Sequence, residues 1–199
     1  MLQLVGAAER TIYWGCHGVR PPRIFAESLA DAVGRGVEVH LVTNSRLSSQ
    51  SLTGKGLLGT MYWECRNHFR WLLDHGVHVY EWQLPGAFHS KNIVVDGAVA
   101  GVGSYNLANG SAFHHSESAV LVYGGPFPQE VADLFTDDLA NCRAVAVSEV
   151  RSPRPKVDPL RRALHERNLL VDEGVVPAAI AAELARGNFR WKYAEPLQG

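Results

Sequence analysis

The spacing of apolar and polar residues divides the chain into short strands separated by helical stretches. Leu2, Leu4, Val5 and Ala8 recur at loose helical intervals, and the chain then changes to TIYWGC, residues 11–16, a β-branched and aromatic run that predicts a strand. After a Pro-Pro break, Ile24, Phe25, Leu29, Ala30 and Val33 follow helical spacing until Gly34 and Gly36 stop it, and VEVHLVT, residues 37–43, predicts the next strand. Strand, helix and strand in that order imply a parallel pair, because parallel neighbours need a crossover. A Ser- and Gly-rich stretch over 44–58 predicts a loop, followed by a helix over about 60–75. Strands are expected at 77–82, 92–96, 98–103 and 118–124. A helix over about 129–141 would use Val131, Leu134, Phe135 and Leu139 as its apolar face, and AVAV, 144–147, would close the body. The pattern predicts an α/β fold: a mixed, largely parallel β-sheet flanked by helices.

The segment RSPRPKVDP, 151–159, carries three prolines in nine residues, which excludes regular helix or central strand. It divides the chain into a body, 1–150, and a Pro-rich linker with a helical tail, 151–199, whose apolar spacing predicts short helices near 160–170 and 177–185. Charge follows the same division. The body holds 10 Lys and Arg against 14 Asp and Glu, and the tail 9 against 6. A mildly acidic body argues against nucleic acid as partner. The basic tail has the sign to meet anionic lipid headgroups, although a solvated face explains it as simply. Three cysteines at wide spacing, Cys16, Cys65 and Cys142, form no C-x-x-C pair and read as reduced, buried thiols. No apolar run spans a bilayer and the first residues lack a signal-peptide pattern, so the expectation is a cytoplasmic protein that touches the inner membrane face peripherally.

The chemistry concentrates in FHSKNIVVDGAVAGVGSYNLANGSAFHHSE, residues 88–117. His89 and Lys91 are two apart and run into a strand, so alternation places an imidazole and an ammonium on one face. After Asp96 and Gly97 a tight hairpin would return Gly103, Ser104 and Asn106 beside them, and the polar groups could ring one small anion. The adjacent His114 and His115 point to opposite sides of a strand or loop, so at least one faces solvent. Trp63, Trp71, Tyr62 and Phe69 read as helix packing. Trp82 and Phe88, with Leu84 and Pro85, are candidates for the substrate rim or for loop packing. Cys65 with His68, and His75 with His78, have ligand-like spacing but no set of four, so no metal site is expected.

H-x-K-x4-D followed after six residues by G-S-x-N resembles the signature of the phospholipase D superfamily, and His89, Lys91, Asp96, Gly103, Ser104 and Asn106 match it. Over about residues 2–147 the chain also looks like the carboxy-terminal half of bacterial cardiolipin synthase-like proteins, with GRGVEVHLVTNS, WLLDHGVHVYEW and Glu117 in the family's order. Where those proteins carry L-D-x-R-S after the asparagine, this chain has Leu107, Ala108, Asn109, Gly110 and Ser111. The resemblance implies a phosphodiesterase or phosphatidyltransferase without cofactor, acting on phospholipids. In it His89 forms a phosphohistidine, Lys91, Asn106 and Ser104 stabilise phosphoryl oxygens, Glu117 orients His89, and Asp96 and Gly103 support the motif.

The superfamily sets two such motifs face to face, one histidine as nucleophile and the other as acid. None of the other histidines here lies in a second H-x-K. The resemblance therefore implies a second half, supplied by homodimerisation or by a separate chain. Two other functions stay open on the sequence: a metal-independent nuclease of the single-motif dimeric type, and an inactive half serving as a structural subunit.

Overall fold

The computed structural model describes residues 1–50 and 57–150. The expected tail lies outside the described residues. Seven strands form one sheet in the order β6-β5-β4-β1-β2-β3-β7: β1 Thr11–Cys16, β2 Glu38–Asn44, β3 His78–Trp82, β4 Lys91–Val95, β5 Val99–Gly103, β6 Ala119–Tyr123 and β7 Cys142–Ala144. The sheet is mixed, but parallel pairing is confined to β1 with β2 and β2 with β3, and the other four pairings are antiparallel. The parallel centre is thus narrower than the sequence pattern predicts: β4 and β5 form a hairpin, β6 pairs antiparallel with β5, and the helix Phe127–Leu139 carries the chain from β6 to the opposite edge, where β7 pairs antiparallel with β3.

Helices cover both faces. Register and alternation put Ile12 and Trp14 on the face that also carries Val39 and Leu41, and there the Trp14 ring meets Phe25 of α2, Arg23–Gly34, at 6.1 Å. Tyr13 points to the opposite face, where it stacks on Phe135 of α5, Phe127–Leu139, at 4.9 Å. The first helix, α1, is Leu2–Ala7, and α4, Leu57–Asp74, leads into β3. In α5 the buried stripe runs through Pro128, Val131, Ala132 and Phe135, and Leu134, expected inside, is 61% exposed. At 100° per residue Leu134 falls roughly a third of a turn from that stripe's centre.

Two local differences have clear causes. Inside the expected 44–58 loop lies a short helix, α3, Arg46–Gln50. Ser45 and Ser48 cap it reciprocally: the Ser48 N–H donates to Ser45 Oγ at 3.2 Å and the Ser45 N–H to Ser48 Oγ at 2.9 Å, a serine version of the capping box. The closing strand also starts earlier than AVAV, because β7 pairs Cys142 with Trp82 and Ala144 with Tyr80, and Val147–Glu149 turn as a 3-10 helix.

Beneath β7, Glu81 of β3 is buried among polar partners. Its carboxylate accepts from Arg66 at 2.6 Å, from Arg143 at 2.7 Å and from the Tyr62 hydroxyl at 3.1 Å, which ties α4 and β7 to the sheet edge.

Candidate active site

The site lies where β1, β2 and β3 end and β4 begins, the end of a sheet at which the carboxyl termini of parallel strands gather loops. The β4–β5 hairpin anchors it from the opposite end. Asp96 and Gly97 both take positive φ, 57° and 64°, the primed turn that matches strand twist. The Asp96 carboxylate accepts the backbone N–H groups of Glu9, Arg10 and Thr11 at 2.9, 2.8 and 2.8 Å. Burial opposes its ionisation, but those donors and the Arg10 charge hold its carboxyl below the usual carboxylate range. Asp96 therefore fastens the far end of β4 to the start of β1. Gly103, at the near end of β5, is required by close approach: a Cβ there would lie 2.1 Å from the Ser118 carbonyl oxygen.

At the near end His89 is exposed in the extended segment just before β4, and the Lys91 ammonium donates to the His89 carbonyl at 3.1 Å. Partial burial lowers the Lys91 pKa from its ordinary value, with Cys16 and Glu117 acting in the other direction. On the β5–β6 side, Ser104 and Ser111 both donate their hydroxyls to Glu117. Those two bonds lower the Glu117 pKa, helped by the charges of His115 and Lys91. Ser111 also accepts the Asn106 N–H at 3.1 Å, which fixes the asparagine's backbone, while the buried Asn106 Oδ1 has no partner among the described residues. Opposite, His17 after β1 lies edge to face against His89 with ring centroids 5.0 Å apart. Asn44 at the end of β2 clamps the backbone before His89: it accepts the Phe88 N–H at 2.8 Å and donates to the carbonyls of Phe88 and His17 at 2.8 and 2.9 Å.

The family described as "Cardiolipin synthase, PLD-like domain" matches residues 1–139. The chain belongs to this phospholipase D-like family. A curated cardiolipin synthase of Staphylococcus aureus is 26% identical over 139 residues, 70% of this chain and 26% of that protein. Cardiolipin synthase 2 of Bacillus anthracis is 24% identical over 151 residues, 76% of this chain and 27% of that protein. The chain thus spans about a quarter of the length of these relatives. Among solved structures, the phospholipase D family member Nuc from Salmonella typhimurium superposes with a TM-score of 0.58 at 21% identity, covering 72% of this chain and 87% of that one. The phosphatidylserine synthase of Haemophilus influenzae gives 0.64 at 14% identity, covering 82% of this chain and 40% of that one.

Within this phospholipase D-like unit the structure brings together His89, Lys91, Ser104, Asn106 and Glu117, and sets Asp96 at the distal turn. Three placements differ from expectation. Ser104 was expected at phosphoryl oxygens, but its hydroxyl donates to the Glu117 carboxylate. Glu117 was expected on the His89 imidazole, yet no described hydrogen bond joins them, and its carboxylate is held by Ser104 and Ser111. Phe88 is not a rim residue: it is buried with Val42 and Phe135 under α5, with the half-buried Trp82 ring at 5.5 Å. His17, Asn44 and Ser111 enter the site without having been singled out from the sequence; the first two end strands β1 and β2, where polar side chains in an α/β sheet are the signal to look for. Among the described residues no group of three His, Cys, Asp or Glu is placed to hold a metal, and no helix is long and apolar enough to cross a membrane.

Proposed function

We propose that the chain is one half of a phospholipase D-type phosphodiesterase or phosphatidyltransferase that acts on phospholipids through a phosphohistidine at His89. The observation that carries this reading is the convergence of an exposed imidazole, an ammonium and a carboxamide at one sheet end, in a chain of this family. The His89 lone pair attacks phosphorus, forming an N–P bond as the P–O bond to the leaving alcohol breaks. The leaving oxygen takes its proton from a facing imidazole of a second half. Water or an alcohol then gives its proton to that imidazole and attacks phosphorus, the N–P bond breaks, and His89 is regenerated. Lys91 and Asn106 stabilise charge on the non-bridging oxygens. The protein would work at the cytoplasmic face of the membrane, docked peripherally.

The second half is a second copy of this chain, paired through the edge beside the motif hairpin. The outermost strand β6 exposes Val120 at 67%, Leu121 at 39% and Tyr123 at 66%, and Val102 next to it is 42% exposed. A lone edge strand that is apolar on both faces favours association. Vesicles of phosphatidylglycerol incubated with the full chain should release a headgroup or transfer product, and His89→Ala should abolish it. Plasmid nicking in EDTA without lipid turnover would replace this reading by a nuclease, and a monomer without either activity would leave an inactive half.

A further inference from the structure

His17 packs edge to face against His89, and its own hydrogen bonds determine which ring nitrogen carries the proton. The Asn44 carboxamide has two hydrogens, and they go to the His17 and Phe88 carbonyls at 2.9 and 2.8 Å. Its third contact, 3.2 Å to His17 Nδ1, therefore has no hydrogen to donate. Nδ1 lies 3.2 Å from the Phe88 carbonyl oxygen, which can only accept, so His17 bears its proton on Nδ1 and keeps a lone pair on Nε2. The Phe88 carbonyl, one peptide before His89, is thereby held from two sides, and the His17 ring stands edge to face on the His89 ring.

We infer that His17 is a positioning residue for His89: it fixes the peptide and the ring orientation of the nucleophile, the role that Glu117, bound to two serines, does not fill in this structure. The inference rests on the reading of His89 as nucleophile. The ring does this while neutral. Burial, the largest cause, lowers the His17 pKa below 6.5; the Phe88 carbonyl acts against it, and His89, Lys91 and Arg20 lower it further. The groups facing it from the end of β2, Thr43 and Asn44, are uncharged, and among the described residues no anion acts on it to reverse that direction.

Two measurements on the full-length chain test this. Long-range proton–nitrogen spectra of histidine-labelled protein should show His17 protonated at Nδ1 at pH 7 and titrating below 6.5, with a midpoint that rises in His89→Ala because the coulombic effect of His89 on the ring is gone. An Nε2–H tautomer, or a midpoint indifferent to His89, overturns the inference. With a chromogenic phosphodiester, His17→Ala should slow phosphorylation of His89 by about ten- to a hundredfold with little change in KM, and His17→Asn, which keeps a donor for the Phe88 carbonyl, should recover most of that loss. An unchanged kcat in folded His17→Ala, or no rescue by asparagine, overturns it. If the wild-type chain transfers no phosphoryl group at all, the reading of the site fails, while the spectra still decide the contact.

Discussion

The two ends of β4 use polar side chains in opposite ways. At the Val95 end, Asp96 takes three backbone N–H groups from the start of β1 and sits in a two-residue turn with Gly97, so its polar capacity is consumed by the fold. At the Lys91 end, the His89 ring is exposed, the Lys91 ammonium meets only a backbone carbonyl at 3.1 Å among its described hydrogen bonds, and Asn106 Oδ1 is buried without a partner among the described residues. One strand therefore separates a satisfied anchor from an unsatisfied cluster. Buried or converging polar groups left without partners are where a ligand can supply the missing bonds.

That contrast is sharpened by substitutions at either end. The largest effect is expected for His89→Ala, which should reduce phosphoryl transfer by at least about a thousandfold while shifting stability by no more than ~0.5 kcal/mol, since the ring is exposed. Rates against melting temperature check both halves of that statement. Lys91→Met should cost about a hundred- to a thousandfold in kcat, the scale of one lost donor to a developing oxyanion, with the fold intact. Asp96→Ala should invert the pattern: activity per folded molecule is retained and stability falls by ~2 kcal/mol, because three N–H groups lose their acceptor. Loss of activity before loss of stability in that variant would break the comparison.

The Asp96 effect carries a pH signature. Its folded-state pKa lies below the unfolded value, so its contribution is fully present above the ordinary carboxylate range and is lost as pH falls through the depressed folded value. Denaturation curves of wild type and Asp96→Ala should differ at pH 7 and begin to approach each other only below about pH 4, closing as pH falls through the depressed folded value. The smallest effect is expected for Glu117→Gln, about tenfold in kcat, because the carboxylate acts through Ser104 and Ser111 on the Asn106 loop and bonds no described catalytic group directly.

What could be read from the chain follows the range of the interactions. The motif hairpin is local: H-x-K entering a strand, Asp-Gly at the turn and G-S-x-N at the end of the next strand are all within eighteen residues, and the structure pairs Asn92 with Val102 and Val95 with Val99. His17 and Asn44 are different, because only the order β4-β1-β2 brings the ends of three separated segments together, and one polar residue after a strand has no distinctive spacing. Phe88 was open between the substrate rim and loop packing, because adjacency to His89 does not say which way a side chain points; its ring packs onto Phe135 and Val42. Leu134 failed for a similar reason, since helical spacing alone allowed it into a stripe that Pro128, Val131, Ala132 and Phe135 already complete. Ser45 and Ser48 show that a serine-rich stretch can cap a helix as well as form a loop.

The central claim is that His89 becomes covalently phosphorylated. Rapid acid-free quenching of the full chain with a labelled phosphodiester, followed by mass spectrometry of its peptides, should find one acid-labile phosphoryl adduct on the peptide bearing His89 and none in His89→Ala. An adduct on another residue, or product formation with no adduct under any quench, would contradict the account.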